Sequence, residues 1–316
     1  MTKTLRQSGT LLGLLSIILF FAFRLPDTFL TARNLMNIGQ QVSMLAVVAA
    51  TMTIVMVMND FDLSVGSMAS LAGVVAATVF VMGYPVWTGV MAALLVGVAG
   101  GLLNGVLVSV IGILPFVATL GTMTVFSGLA FRISGGKTIF GRDIPPGFSG
   151  FARGGIEMGD VKIPALSLLA AGVVLLCWFL LEQTSFGRRL YAIGGNREAA
   201  MLAGVRVVRL RLFAFALTGL GAAGAGLMYA ARVASANPTQ GAGLMLDAIA
   251  AVFLGMTMSR QGEPRVIFTL LGVLMLGILD NGLTQLKVDS YTREILVGAI
   301  VISAVAVATL SQKRSG

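Results

Sequence analysis

The sequence predicts an all-α fold: a polytopic membrane bundle of about ten transmembrane helices forming a single domain over residues 1–316. Three observations carry this. The 316 residues are 57% hydrophobic and only 11% charged, against about 25% charged in a typical soluble domain. The apolar residues fall in runs that approach the roughly 20 residues a helix needs to cross a bilayer. All eight prolines (Pro26, Pro85, Pro115, Pro145, Pro146, Pro164, Pro238, Pro264) lie between those runs, where a missing backbone donor is tolerable. A chain so poor in charge cannot clothe a soluble surface, which excludes a soluble enzyme, a nucleic-acid binder and a disordered chain.

In chain order the apolar runs lie near 9–23, 42–58, 63–82, 86–111, 116–131, 164–181, 211–231, 244–258, 266–285 and 292–310. The first ends at Ala22-Phe23-Arg24 with no small-residue cleavage site, so it reads as an uncleaved anchor. An even number of spans returns both termini to one side. Lys3 and Arg6 before the first run, and Lys313 and Arg314 after the last, put that side in the cytoplasm. Alternation from there makes 132–163, rich in Gly, Pro and aromatics, an external loop. The segment 182–211 becomes cytoplasmic and carries Arg188, Arg189, Arg197, Arg206, Arg209 and Arg211. The net charge of +9 fits such loops lying against anionic lipid headgroups. Histidine is absent and Cys177 is the one cysteine, so disulfides, the usual zinc sites and histidine-based acid–base chemistry are excluded. Cys177 sits in an apolar run as a small packed hydrophobe.

Two nucleotide-binding patterns nearly form. Gly135-Gly136-Lys137-Thr138 resembles the end of a phosphate-binding loop, but Phe131 stands where the leading glycine belongs. Gly219-x-Gly221-x-x-Gly224 matches a dinucleotide fingerprint inside an apolar helix, without the strand–helix–strand setting. Small residues there, as at Gly97, Gly101 and Gly105, let helices approach closely. No metal site and no cofactor is expected on this chain.

Residues 194–205 read GGNREAAMLAGV. Asn196 suits an N-cap, Glu198 suits the first-turn dipole and Gly204 suits a C-terminal stop. Ala199, Ala200, Leu202 and Ala203 form a small apolar face between them. A helix of two turns is marginal alone and needs a surface to pack on. That surface is either its own bundle or the groove of a partner to which it passes movement.

Here the stretch FGRRLYAIGGNREAAMLAG, from Phe186 to Gly204, resembles the coupling-loop signature of ribose-type sugar permeases, the membrane subunits of bacterial ATP-binding-cassette importers. DLSVGS at 62–67, PFVATLG at 115–121, LDAIAAVFLG at 246–255 and NGL at 281–283 extend the resemblance from about residue 30 to the last run. It implies a ten-span, multi-pass subunit in the bacterial inner membrane, working as a pair with a second identical or different permease. A cytoplasmic ATPase holding ATP and Mg would dock on a coupling loop at 182–209, through Gly194, Gly195, Asn196, Arg197, Glu198, Ala199, Ala200, Leu202, Ala203 and Gly204. A periplasmic sugar-binding protein would dock outside and deliver a monosaccharide. Two places depart from the family pattern: Asn59-Asp60 replaces a common glycine pair, and the turn 258–264 reads MSRQGEP.

Polar groups inside spans are costly and carry a functional expectation. Asp62, just ahead of Ser64, is either an N-cap or a gate element, and Asp247 permits the same two readings. Asp280 and Asn281 in span nine, and Asn104 in span four, are either interhelical bonds or path lining. Ser43, Asn104, Thr119, Thr122 and Asn281 are the expected hydroxyl and amide lining of a translocation path. The pairing of Asp62 with Leu103-Asn104-Gly105, and of Asp247 with Asp280-Asn281-Gly282, recurs five spans apart, which predicts an inverted repeat of spans 2–5 and 7–10. The alternative function is a secondary transporter coupled to protons or sodium through Asp62 or Asp280.

Overall fold

The computed structural model describes residues 2–159, 161–259 and 262–313 and is mostly helical. Helix α1 (Thr2–Arg24) leads to α2 (Ala32–Met56), α3 (Val65–Val81), α4 (Val86–Val106) and α5 (Pro115–Ser134). A compact insertion follows, with strand β1 (Ile139–Phe140), α6 (Pro146–Arg153) and the antiparallel ribbon β2 (Gly155–Met158) and β3 (Val161–Pro164). Then come α7 (Ala165–Trp178), α8 (Ser185–Gly195), α9 (Arg197–Leu202), α10 (Val207–Val233), β4 (Ser235–Ala236), α11 (Leu244–Met258), α12 (Val266–Gln285) and α13 (Ser290–Lys313). Arg260, Gln261 and Arg314 lie outside the described residues, as do the side chains of Lys3, Arg6 and Lys313.

The count of ten spans is not confirmed. Among the described residues six helices are long and apolar enough to cross a membrane: Ala32–Met56, Val86–Ile111, Pro115–Ser134, Ala165–Gln183, Val207–Val233 and Val266–Gln285. The runs at 9–23, 63–82 and 244–258 correspond to shorter apolar helices, Leu11–Arg24, Val65–Val81 and Leu244–Met258. The run at 292–310 lies in α13, where the side chains of residues 307–313 and several before them are outside the described set. The second span also starts ten residues earlier than its apolar run. Hydropathy broke at Asn34, Gln40 and Gln41, yet the helix continues through them from Thr31, whose hydroxyl caps the Asn34 amide at 3.3 Å. Each of the three finds a partner on another segment, so their polar groups are satisfied inside the fold.

Helix α2 is the axis of the bundle, buried from Val42 to its end at Met56. Helices α7, α10, α11 and α12 pack around it. The closest pairing is α4 with α10, and glycine makes it possible. A Cβ on Gly101 would sit 2.2 Å from the Phe215 carbonyl oxygen, and one on Gly219 would sit 2.2 Å from that of Gly97. Gly221 likewise leaves room for Thr51. Two glycines of the fingerprint-like stretch, Gly219 and Gly221, thus serve close helix packing, as small residues do in apolar surroundings, while Gly224 faces open space.

A long helix, an irregular segment, a short helix and another long helix occur in sequence twice: α2, 57–64, α3, α4, and again α10, 234–243, α11, α12. The irregular segments meet the short helices closely. A Cβ on Gly66, at the start of α3, would lie 2.5 Å from the Gly241 carbonyl oxygen, and the Gly241 amide donates to Ser70 Oγ at 2.9 Å.

The insertion modifies the all-α expectation with two small ribbons, because backbone groups outside the helices still need partners. Strand β1 pairs with β4, which follows α10. Gly135 and Gly136, both at positive φ, end α5 and lead into β1 rather than into a phosphate-binding helix. Helix α6 seats Phe148 against Phe80 with ring centroids 5.0 Å apart, and Gln40 Nε2 donates to the Ala152 carbonyl at 3.2 Å. Phe148→Ala should cost about 3 kcal/mol of local stability. The expected readout is faster protease cleavage between Gly141 and Gly154 with the long helices still protected; unchanged cleavage would show that α6 is held by something else.

Candidate functional site

The irregular segment after α2 gathers most of the polar side chains singled out by sequence. Asp62 is not itself the cap of α3; Ser64 holds that position. Asp62 Oδ1 accepts from the Ser64 amide at 2.9 Å and from Ser64 Oγ at 2.6 Å. Asn104 Nδ2 donates to Ser64 Oγ at 2.8 Å and reaches Asp62 Oδ1 at 3.3 Å. Thr122 Oγ1 donates to Asn104 Oδ1 at 2.6 Å. Thr119 Oγ1 donates to the Pro115 carbonyl at 2.8 Å and lies 3.4 Å from that of Phe61. The network ties α4 and α5 to the segment that leads into α3, and all five side chains are buried.

Beside it stands the segment from Thr184 to Arg206. Thr184 caps α8 by accepting from the Phe186 amide at 3.2 Å. Leu190 and Ile193 of α8 are buried, while Arg188 and Arg189 are exposed. Tyr191 donates its hydroxyl to the Pro264 carbonyl at 2.9 Å, tying α8 to the turn before α12. Burial, with Glu182 nearby, pushes the phenol above its ordinary range, so it stays a donor. Arg265 and Glu182 add a loose ion pair at 3.8 Å, half-exposed on the arginine side, of the kind that contributes little.

Helix α9 stands where the capping pattern placed it. Asn196 Oδ1 accepts from the Ala199 amide at 2.9 Å, Glu198 lies in the first turn, and Gly204 turns the chain away at φ +81°. Its apolar residues divide. Ala200 is buried against the bundle, whereas Leu202 is 90% exposed and Met201 49% exposed. Gly194, Gly195, Arg197, Glu198, Ala199 and Ala203 surround it, and all but the half-buried Gly194 are exposed. A cleft of about 450 Å³, lined by Arg189, Ala203, Gly204, Val205 and Arg206, opens beside this helix.

The remaining polar candidates lie elsewhere. Helix α12 starts next to α8, so Asn281, fifteen residues past Val266, is about 22 Å further along it at 1.5 Å per residue. There Asn281 Oδ1 accepts from Asn34 Nδ2 at 3.1 Å and from Gln285 Nε2 at 2.9 Å. Asp280 is near the end of α12 rather than deep in it; it accepts from Gln41 Nε2 and pairs with Arg293 Nη1 at 2.7 Å. Asn104 and Asn281 therefore join separate networks. Ser43 bridges α2 to α7, donating to the Gly39 carbonyl at 2.7 Å and reaching Ser167 Oγ at 3.3 Å. Asp247 is four residues past Gly243, the residue that precedes α11, so it is no cap.

Sequence reasoning missed one constellation. Arg211, which the sequence places with the arginines of the cytoplasmic segment, is buried, and its Nε and Nη2 grip Asp60 Oδ2 and Oδ1 at 2.7 and 2.6 Å. Asn59, beside it, adopts φ +60° and donates from Nδ2 to the Gly194 carbonyl at 2.7 Å. The available signal was an acid where glycine was expected, together with a cation at the edge of an apolar run.

Against known proteins, residues 34–305 match the family model described as "Branched-chain amino acid transport system / permease component". The chain is 38% identical over 311 residues to the ribose import permease protein of Bacillus subtilis (strain 168), covering 98% of this chain and 94% of that one. It is 34% identical to the galactose/methyl galactoside import permease protein of Escherichia coli (strain K12), covering 98% and 96%. To the D-allose transport system permease protein of the same strain it is 32% identical, covering 96% and 92%. A solved metal-chelate type ABC transporter in an inward-facing conformation superposes with a TM-score of 0.55 at 17% identity, covering 96% of this chain and 99% of that one, a likeness of fold.

Proposed function

The chain belongs to the branched-chain amino acid transport system / permease component family, and from that premise we propose that it is the permease subunit of an ATP-binding-cassette importer for a monosaccharide. The sugar relatives named above, matched along nearly their whole length, support the substrate class. The observation that carries the mechanism is α9: a short capped helix, anchored inward by Ala200, that offers Leu202 to the outside.

In this reading α9 and the flanking Gly194–Gly204 segment dock on a cytoplasmic ATPase, which holds ATP and Mg; this chain contributes no hydrolytic group of its own. Loop 182–209 and both termini face the cytoplasm, and 132–163 faces the periplasm, where a sugar-binding protein docks. The interior around α2 is filled with side chains, so the sugar passes along an outer face shared with a second permease subunit. Ser43, Asn104, Thr119, Thr122 and Asn281 hold the helices of that path from behind. Asp62 and Ser64 fix the start of α3; in an inverted second half Asp247 corresponds to Asp62, and Asp280-Asn281 to Leu103-Asn104, in a plan where alternating access turns on short, interrupted helices.

The test is reconstitution. The chain, its co-purifying ATPase and binding protein in liposomes should take up labelled ribose, galactose or allose only with ATP inside. Uptake by the chain alone, or uptake driven by an ion gradient with ATP absent, would overturn the proposal.

A further inference from the structure

We propose that Asn59 and Asp60, with Arg211, are positioning residues for energy coupling: a two-armed mount that fixes α9 to the end of α2. This rests on the importer reading above and adds the residues through which motion passes. The two arms leave adjacent residues and reach opposite flanks of the same short helix. Asn59 Nδ2 holds the carbonyl of Gly194, two residues before the α9 cap Asn196. Asp60 takes a bidentate grip on Arg211, in the second turn of α10, which follows α9 after a four-residue turn. The φ of +60° at Asn59 turns the chain so that neighbouring side chains diverge in this way.

The approach is close. A Cβ on Gly194 would lie 1.9 Å from the Val57 carbonyl oxygen, so no side chain separates the approach to α9 from the end of α2. An α9 joined to the bundle only by flexible loops would absorb a push from outside. With both flanks pinned to one dipeptide, a displacement of α9 moves α2 and α10 together. These two carry it on, since α2 packs on α7, α11 and α12, and α10 on α3 and α4. Planar Arg–carboxylate forks resist bending better than a single hydrogen bond, which suits the arm that meets the longer helix.

The alternative is that the pair merely neutralises a buried arginine, and two variants separate the readings. Asn59→Gly keeps the positive φ without strain and removes one arm. Asp60→Leu with Arg211→Met replaces the other by apolar groups, a change that buried pairs tolerate. Each is reconstituted with the co-purifying ATPase and binding protein, and uptake of whichever labelled sugar the wild type carries is measured beside ATP hydrolysis. We expect hydrolysis to stay within about twofold while sugar moved per ATP falls about fivefold for Asn59→Gly and more for the double variant, a size normal for positions that carry coupling. A merely structural role would lower the amount of folded protein and leave the ratio unchanged, and an unchanged ratio in both variants overturns the proposal. If the wild type itself shows no ATP-dependent uptake, the importer reading falls, and this inference with it.

Discussion

Leu202→Asp is expected to abolish ATP-driven uptake while leaving the protein at normal abundance in the membrane. The side chain is 90% exposed on α9, so its loss removes nothing from the core and leaves no cavity. On the proposed docking, what it removes is an apolar anchor for a partner's groove, and an aspartate there adds an unpaired charge that the groove would have to desolvate. A central anchor of this kind is worth about 2 kcal/mol or more, which corresponds to about thirtyfold in affinity. Pull-down of the ATPase by the tagged permease should fall by that order, and uptake with it. Leu30→Asp, the same change at an exposed leucine outside both docking loops, is the control. Full uptake by Leu202→Asp would mean that force enters the chain elsewhere.

A second large effect is expected at Gly101. Valine there would drive its Cβ to 2.2 Å from the Phe215 carbonyl oxygen and 2.9 Å from the Ala216 Cα. Both obstacles are backbone, so relief requires α4 and α10 to separate along their length. Between apolar helices in lipid little else than close packing holds the pair together. Overpacking costs about 1–3 kcal/mol even where side chains can yield, and here they cannot. Gly101→Val should lose most monodisperse protein in mild detergent, as seen by size-exclusion chromatography. Gly121→Ala, in a span but with open space around it, should leave the profile unchanged. Equal profiles for the two would show that the α4–α10 approach is looser than described.

The class of protein was legible in the residues because it depends on sums and local rules. Low charge and apolar runs required a membrane bundle, and proline marked its breaks. The α9 helix was legible for the same reason: Asn196 and Gly204 act within a few residues of themselves. The five blocks of resemblance already named the family that the relatives then supplied. Span number was less legible, because polar residues such as Asn34 and Gln41 interrupt the apolar run but not the helix. Whether a helix runs on through an amide depends on whether another segment satisfies it, and hydropathy does not see that partner.

The candidate site divides along the same line. Asp62, Asn104, Thr119 and Thr122 stood out as costly polar groups, but only the structure brings them into one network, from α4, α5 and the irregular segment ahead of α3. Arg211 counted toward the charge of a loop until the fold set it against Asp60, 151 positions away in sequence. Composition and short-range pattern thus suffice for what each residue costs in lipid and where a helix starts or stops. Which costly residue meets which is settled by the approach of distant helices, through glycine contacts and paired charges that exist only once the bundle has closed.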